Sequence, residues 1–413
     1  MPTLIAVGVF ASVALAYFFS ALVRGVTATL APEFGAELAL TAGDLGLLAG
    51  AYFFGFACTQ LPLGAALDRV GPRRVLLTLL ALAVAGCAAF ALARDFRTLL
   101  VARALIGVGV SACLMAPMTL FRRHFSPVAQ LRANAWMLMA GSLGMVASTL
   151  PVRWLLPWFG WRGLFWGVAA ALALSIAAIA WRVPRSVDAS PASPAALRAA
   201  PVGRYLDVFG HPTFVRFAPL GVFGYGGLIA VQSLWAGPWL VQVCGWSADE
   251  AGQGLFAVNI AMLLSFLAWG ALLPRLAARG WGAQQLVGRA MPVSLAALAL
   301  AVLLGPRATA WVWVLYCAGS TSLALSLPAV GLAFGPALAG RAMSAYNLLV
   351  FIGVFVVQWG IGLVIDVLGG FGWNALSSYR AAFALLNGCC AAAYVWFLCR
   401  PDGAPRHKPV FSA

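Results

Sequence analysis

Charged residues are scarce in this chain of 413 residues: Asp, Glu, Lys and Arg together make up 9% of it, and Lys408 is the one lysine. Soluble domains carry about 25% charged residues, so a water-soluble fold of this length could not cover its surface with so few. The alternating segments of about ten residues that are typical of membrane β-barrels are also missing. The chain instead contains apolar runs of about 20 residues, the length that crosses a bilayer as a helix. Its composition therefore predicts an all-α membrane protein.

Groups that hold metals or cofactors are equally rare. The three histidines (His124, His211 and His407) fall in predicted loops, and no two of the eight cysteines have CxxC spacing. No carboxylate falls deep within a predicted helix. Cysteines in apolar helices pack as small hydrophobic residues. We therefore expect no metal, no cofactor and no enzymatic activity, since an intramembrane enzyme would need such groups.

Twelve apolar runs divide six and six around one polar stretch. The runs cover about 4–31, 45–67, 74–93, 98–120, 134–157, 163–181, 215–242, 250–274, 286–304, 309–335, 343–368 and 381–399. The polar stretch is rich in Ser, Pro and Ala, which is typical of a linker. The expected domains are an N-terminal six-helix bundle (1–182), a cytoplasmic linker (183–214), a C-terminal six-helix bundle (215–400) and a cytoplasmic tail (401–413).

The net charge of +15 comes mainly from arginines between these runs. With the N-terminus inside, 18 basic residues fall in cytoplasmic segments and 6 in outer loops. This asymmetry follows the positive-inside rule and predicts that both termini are cytoplasmic, in a multi-pass protein of the cell (inner) membrane. The excess charge is thereby explained by topology, and the expected partner is the lipid bilayer rather than nucleic acid.

The two halves carry a repeated pattern at matching positions. Arg162 and Phe165 stand at the start of the sixth run, after Gly160-Trp161. Arg380 and Phe383 stand in the same positions at the twelfth run, after Gly372-Trp373. The repeat predicts two pseudo-symmetric six-helix bundles.

The most informative motif lies between the second and third runs. It reads Gly-Ala-Ala-Leu-Asp-Arg-Val-Gly-Pro-Arg-Arg and provides six motif residues: Gly64, Asp68, Arg69, Gly71, Arg73 and Arg74. Gly64 would let two helices approach closely, and Gly71 would permit a tight turn. Asp68 and Arg69 could pair across an interface or cap a neighbouring helix end. A polar contact of this kind can act as a conformational latch, formed in one state and broken in another.

This motif resembles the signature of major facilitator superfamily transporters, Gly-x-x-x-Asp-Arg-x-Gly-Arg-Arg. A degenerate copy without the Asp lies between Gly270 and Gly280. The run Arg103-Ala-Leu-Ile-Gly107-Val-Gly109 is similar to the family's helix-4 motif, with its glycines expected at close helix contacts. The resemblance implies the major facilitator fold, which is usually monomeric, and secondary transport of a small-molecule substrate by alternating access about a midplane site.

The segment from Arg24 to Gln60 looks most similar to the bacterial organic-anion branch of this family, the anion–cation symporters. Shared elements are an arginine in helix 1, Pro32-Glu33 after it, and Gln60-Leu-Pro62. Arg24 lies about 12 Å from the end of its run, too deep for a loop charge. An intramembrane arginine should face a cavity or a partner, and its fork binds carboxylate or phosphate. Arg24 is thus the first candidate for binding an anionic substrate, with pairing to a carboxylate or carbonyls as the structural alternative.

Other polar groups in the runs could join the same site. The candidates are Gln232, Trp235, Asn259, Asn347 and Gln358. Amides in hydrocarbon are costly unless they are hydrogen-bonded, so each could equally serve a contact between helices. Arg103 likewise suits packing or gating as well as ligand contact.

One departure from the organic-anion branch concerns coupling. Proton-coupled members place a carboxylate seven residues after the helix-4 arginine, where this chain has Val110. Anion exchange or uniport therefore becomes more plausible than proton symport. Two alternatives stay open at this point: a multidrug or metabolite efflux antiporter, and an exchanger of an inorganic anion such as nitrate. A receptor on a transporter scaffold is disfavoured by the short tail after Arg400.

Overall fold

The described part of the chain is helical throughout. The computed structural model describes residues 3–188 and 205–400; the predicted tail, and half of the predicted linker (189–204), lie outside these ranges. The main helices are α1 (Thr3–Glu37), α2 (Ala42–Arg69), α3 (Pro72–Leu92), α4 (Phe96–His124), α5 (Pro127–Ala147), α6 (residues 161–182), α7 (Pro212–Val243), α8 (Ala248–Ala278), α9 (Ala283–Leu304), α10 (Ala310–Leu332), α11 (Pro336–Gly370) and α12 (Ala375–Cys399). Eleven helical segments in the described ranges are long and apolar enough to cross a membrane.

The boundary between α5 and α6 lies inside the continuous segment Leu150–Arg182. Gly160 in this segment has φ 61° and ψ 169°, which are not helical angles and which a residue with a side chain rarely adopts. Residues before Gly160 therefore extend α5, and those after it form α6. The eleven long segments include the one that contains α6, and α5 (Pro127–Ala147) is the twelfth helix of the described ranges, as the sequence predicts.

Capping residues fix where several helices begin. Thr41 caps α2 and Ser247 caps α8, each with an acidic residue three positions later (Asp44 and Glu250) that completes a capping box. Both caps stand at the end of the bundle where α1 ends at Glu37, which we call the Glu37 end. The opposite end, where α2 ends and α3 begins, is the Arg69 end.

Arg162 and Arg380, the arginines of the predicted repeat, make equivalent contacts in the two halves. The Arg162 guanidinium donates a hydrogen bond of 3.0 Å to the Ala93 carbonyl, at the C-terminus of α3. The Arg380 guanidinium donates to the Val302 and Leu303 carbonyls, at the C-terminus of α9, at 2.7 and 3.3 Å. Because α3 and α9 are the third helices of their halves, the two contacts confirm pseudo-symmetric six-helix bundles.

At the Glu37 end the two halves are joined tightly. The Asp366 carboxylate of α11 accepts hydrogen bonds from the Ala42 and Gly43 backbone N–H groups at the start of α2, at 3.1 and 2.7 Å. Arg153 donates a 2.6 Å hydrogen bond to Asp249 of α8 and also pairs with Glu33 of α1. These contacts close the Glu37 end.

Toward the Arg69 end the C-terminal helices have a core of their own. Its buried residues include Phe214, Phe217, Tyr346 and Phe397, and all its described members follow residue 207. The buried residues of α8 fall between Ala251 and Met262, in the part of the helix nearest the Glu37 end. The halves therefore share a core at the Glu37 end and separate toward the Arg69 end.

Candidate functional site

Arg24 lies well inside the bundle. Helix α1 continues through Pro32 to Glu37, so Arg24 stands 13 residues, or roughly 20 Å, from the Glu37 end. This is deeper than the apolar run alone predicts, because a proline within a membrane helix can be accommodated. The side chain is partly accessible. Its charge therefore lies within the span of α1 rather than in a loop.

Aromatic and cationic side chains share the level of Arg24. Tyr17 precedes Arg24 by seven residues, which places both on the same face of α1. Tyr52 of α2 lies under the guanidinium of Arg103, which itself donates to the Arg24 carbonyl. Helix α1 packs against α7 along Val231–Trp235, so Arg24 stands on a helix at the boundary between the two halves.

Arg24 has no described acidic partner. The ion pairs found among the described residues join Asp68, Asp188, Asp249, Glu33 and Glu37 to arginines other than Arg24. An unpaired cation inside a low-dielectric protein is costly, and a charged ligand would offset that cost. The geometry thus matches an anion-binding site.

Arg103 serves packing. Its side chain is 1% exposed and donates hydrogen bonds to the Val23 and Arg24 carbonyls at 2.8 and 3.3 Å. The guanidinium carbon also lies 4.9 Å from the centre of the Tyr52 ring. These bonds hold the α1 backbone where Arg24 projects. Of the two roles that the sequence left open for Arg103, the structure shows packing.

The predicted amides bond to protein groups in this conformation. Gln232 donates a 2.9 Å hydrogen bond to Asn259, and both are buried. Gln358 donates to Ser233 at 2.8 Å, and its own carbonyl accepts from the Trp235 indole at 3.1 Å. These groups hold α7 against α8 and α11.

Asn347 joins the halves at a different level. Its amide donates a 2.6 Å hydrogen bond to the Gln60 side chain, which links α11 to α2. The described hydrogen bonds thus join the predicted amides to neighbouring helices and not to Arg24. The signal that sequence reasoning missed was the spacing of Tyr17 before Arg24, which places both on one face of α1.

The loop between α2 and α3, which carries the signature motif, is anchored by a residue that sequence analysis did not single out. The Asp188 carboxylate accepts hydrogen bonds from the Arg73 and Arg74 backbone N–H groups, at 2.9 and 3.4 Å, and so caps α3. The Arg73 guanidinium donates to the Ala180 and Val183 carbonyls at the end of α6. The beginning of the predicted linker thus packs onto the N-terminal bundle.

Asp68 pairs with Arg123 of α4 at 3.0 Å, within the N-terminal half. Arg69 is exposed to solvent. Gly71 has φ 100°, which confirms the predicted tight turn. Gly64 departs from expectation, because a Cβ atom at this position would meet no atom within 4 Å. In this conformation Gly64 is therefore not required for a close helix contact.

The glycines of the helix-4 motif, Gly107 and Gly109, lie at close contacts between helices. A Cβ atom on Gly107 would overlap the Tyr52 carbonyl oxygen, and one on Gly109 would overlap the Ala83 backbone. Helix α4 therefore packs directly on the backbones of α2 and α3, which also fixes Arg103 and Tyr52 beside Arg24. The described residues contain no group of three His, Cys, Asp or Glu side chains that could hold a metal ion.

Comparisons with known proteins agree with this architecture. The sequence profile described as the Major Facilitator Superfamily matches residues 13–358. The fold is similar to a bacterial homolog of the human lysosomal transporter Spinster in an inward-facing, unoccupied conformation, with a TM-score of 0.72 and 20% identity, covering 96% of this chain and 95% of that one. It is also similar to a D-xylose-proton symporter, with a TM-score of 0.75 and 14% identity, covering 97% and 98%.

Proposed function

This chain belongs to the Major Facilitator Superfamily, and we propose that it is a secondary transporter that carries a small organic anion across the inner membrane by alternating access. The family and the fold identify a multi-pass membrane transporter for a small molecule. The nature of the cargo rests on a single observation: Arg24 is a partly accessible cation inside the bundle with no described acidic partner.

The position of Arg24 favours transport over static binding. It stands on α1, which packs against α7 of the C-terminal half. A ligand held there would be exposed to one end of the bundle or the other as the halves rock. We take residues 1–182 and 215–400 as the rocking units, and 183–214 as their linker.

The distribution of arginines supports an orientation. Arg69, Arg73, Arg123, Arg182 and Arg275 all lie at the Arg69 end, which we propose faces the cytoplasm together with both termini. The structure, closed at the Glu37 end, then corresponds to a state that faces the cytoplasm. Reaction of Cys399, an exposed residue at the end of α12, with an impermeant maleimide in inverted vesicles but not in right-side-out vesicles tests this orientation.

Proton coupling would need a titratable group, and the carboxylate that proton-coupled members carry in helix 4 is absent from this chain. The position of the expected helix-4 carboxylate is Val110, which is 1% exposed and packed in the core. We therefore propose anion exchange or potential-driven uniport by a monomer.

The test of the anion site is ligand binding by purified protein with and without the cation. Ligands that bind only the folded state raise its melting temperature. We expect a carboxylate to stabilise the wild type, to stabilise Arg24→Lys less, and to leave Arg24→Gln unchanged. The matched control is Arg97→Gln, which removes an exposed arginine elsewhere.

The outcome separates the candidate functions. Uptake of the stabilising anion into proteoliposomes should disappear in Arg24→Gln and persist in Arg97→Gln. If lipophilic cations alone stabilise the protein, and Arg24→Gln responds as the wild type does, the anion proposal fails and drug or metabolite efflux takes its place.

A further inference from the structure

An apolar groove lies on the outer side of the N-terminal half. It has a volume of about 300 Å³, which is within the range of ligand pockets in proteins. Three elements line it: α1, the extension of α5 (150–159) and α6. Every described residue of its lining is an apolar residue or a glycine. Such a surface offers no partner to a charged or polar ligand, so the groove suits hydrocarbon.

The groove faces away from the Arg24 site. On α1 its wall consists of Phe19, Leu22 and Val26, whose spacing of three and four residues forms one face of the helix. Arg24 is two residues from both Leu22 and Val26, which is a rotation of about 200° around the helix axis. The cation therefore projects from nearly the opposite side of α1. An occupant of the groove is thus distinct from a ligand of Arg24.

The mouth of the groove opens toward the bilayer. Leu155 and Phe159 of the α5 extension line the groove and are 46% and 61% exposed. Helix α6 packs against α1 and α3 of its own half, which leaves its exposed side chains, such as Trp166, on the outside of the bundle. In a chain that spans the membrane, this outer surface meets lipid hydrocarbon. The groove is therefore continuous with the surface that contacts acyl chains.

The position of the groove along the membrane normal matches one leaflet. Residues 19–26 lie between the middle of α1 and the Glu37 end, and seven residues of helix cover roughly 10 Å. Trp154 and Trp158, on the same segment as the mouth, are strongly exposed. Tryptophans are enriched at the level of the lipid headgroups. The groove thus begins beneath the headgroups at the Glu37 end and runs toward the bilayer centre, as an acyl chain does.

Two glycines of α6 leave the groove open. Gly163 and Gly167 are four residues apart on one face of the helix, and both line the groove. A Cβ atom on Gly167 would meet no atom within 4 Å. Gly167 follows Arg162 by five residues, and in the other half Leu385 follows Arg380 by the same interval. The N-terminal half therefore lacks a side chain that the C-terminal half carries at the equivalent position.

The cations that flank the lining in sequence are already paired. Arg153 forms ion pairs with Glu33 and Asp249, and Arg162 forms one with Glu37. These two cations are thus not free to select an anionic headgroup. Recognition would come from the packing of hydrocarbon, which also drives contacts between helices in lipid.

We propose that this groove binds one acyl chain of a membrane phospholipid from the leaflet at the Glu37 end, whatever its headgroup. The chain lies between α1 and the bent α5–α6 segment and fills the space that Gly163 and Gly167 leave. Filling the space provides van der Waals contacts that its lining otherwise lacks. The site goes beyond the proposed anion transport and does not depend on it, because it lies on the other side of α1.

The test is photochemical labelling of the protein in vesicles of phosphatidylethanolamine and phosphatidylglycerol. Each lipid in turn carries a diazirine near the middle of one acyl chain, and mass spectrometry maps the labelled peptides. The labelling of 19–26 and 152–168 is divided by that of α9, which packs against α10 and α12 of its own half and exposes Leu300. We expect a ratio of about 3 or more with both lipids, because the groove surrounds a chain on several sides.

A side chain that fills the groove provides the variant. Gly167→Leu should lower the ratio to about 1, because the leucine takes the space of the chain. The matched control is Gly388→Leu in the middle of α12, where a Cβ atom also meets nothing within 4 Å; it should leave the ratio unchanged. Melting temperatures verify that each variant is folded. A second filling variant, Gly167→Met, has an unbranched side chain that adapts to irregular space and replaces the leucine variant if that one misfolds.

The outcomes that contradict the proposal differ from one another. Equal ratios in the wild type and in Gly167→Leu would show that lipid meets this surface as it meets any other. Labelling by only one of the two lipids would assign recognition to the headgroup. Labelling that tetraphenylphosphonium suppresses would assign the groove to a transported lipophilic compound. Unlabelled groove peptides in a protein that crosslinks as a dimer would assign it to a second copy. Binding of anions at Arg24 is measured separately and is affected by none of these results.

Discussion

Asp366 provides the most direct test of whether specific contacts hold the Glu37 end closed. Its carboxylate accepts two hydrogen bonds from backbone N–H groups at the N-terminus of α2, from Ala42 and Gly43. A hydrogen bond to a charged group contributes about 1.5–3 kcal/mol. Because Asp366 is partly exposed, we discount each bond to about 1–1.5 kcal/mol, which gives about 2–3 kcal/mol for the two together.

Asp366→Ala should shift the equilibrium between the closed and open Glu37 end by the corresponding factor. A change of 2–3 kcal/mol is about a 30- to 150-fold change in population ratio, so a state closed about 99% of the time would become comparably open and closed. The control is Asp44→Ala. Asp44 also accepts a hydrogen bond at the start of α2, from the Thr41 N–H at 3.1 Å, but it contacts only its own half.

The assay measures the distance between two spin labels across the Glu37 end by electron–electron double resonance. Labels on Ala36→Cys of α1 and Ala375→Cys of α12 occupy exposed positions in opposite halves. The exposed native cysteines are first removed as Cys58→Ser and Cys399→Ser. We expect a second, longer distance to appear in Asp366→Ala and not in Asp44→Ala. Identical distance distributions in the two variants would show that Asp366 is only a helix cap. They would refute the idea that its hydrogen bonds hold the Glu37 end closed.

Two further predictions concern the motifs. Gly107→Ala should lower the melting temperature strongly, since its Cβ would overlap the Tyr52 carbonyl, while Gly64→Ala should be near neutral because nothing lies within 4 Å; comparable thermal shifts in the two would contradict the observed packing. Asp68→Asn should slow transport turnover while changing ligand affinity by less than about 2-fold, because its half-exposed pair with Arg123 adds little stability. A loss confined to affinity, measured by calorimetry beside the turnover rate, would exclude a latch in the signature loop.

Sequence and structure agree best where the signal is local or periodic. Helix lengths follow from apolar runs, because the bilayer requires about 20 apolar residues whatever the packing. The turn at Gly71 follows from the glycine itself, since its φ of 100° is disfavoured for other residues. The close contacts of Gly107 and Gly109 follow from the need of tightly packed membrane helices for small residues.

The predicted amides show where local reasoning stops. Gln232, Asn259 and Gln358 are polar residues in apolar helices, and their sequence positions suit a ligand and a neighbouring helix equally well. Their side-chain partners lie 27 or more residues away along the chain, as with Gln232 and Asn259. No periodic pattern encodes such a pairing, so only packed coordinates assign it.

The sequence by itself determined that this protein is a twelve-helix membrane transporter with a cation deep in its first helix, because composition, apolar length and motif spacing are properties of the chain alone. Tertiary structure alone decided what surrounds that cation. Arg103, 79 residues further along the chain, donates to the Arg24 carbonyl, and Asp188 and Asp366 each cap a helix far from them in sequence. These relations depend on how twelve helices cross, and crossing geometry is set by the sum of many long-range contacts.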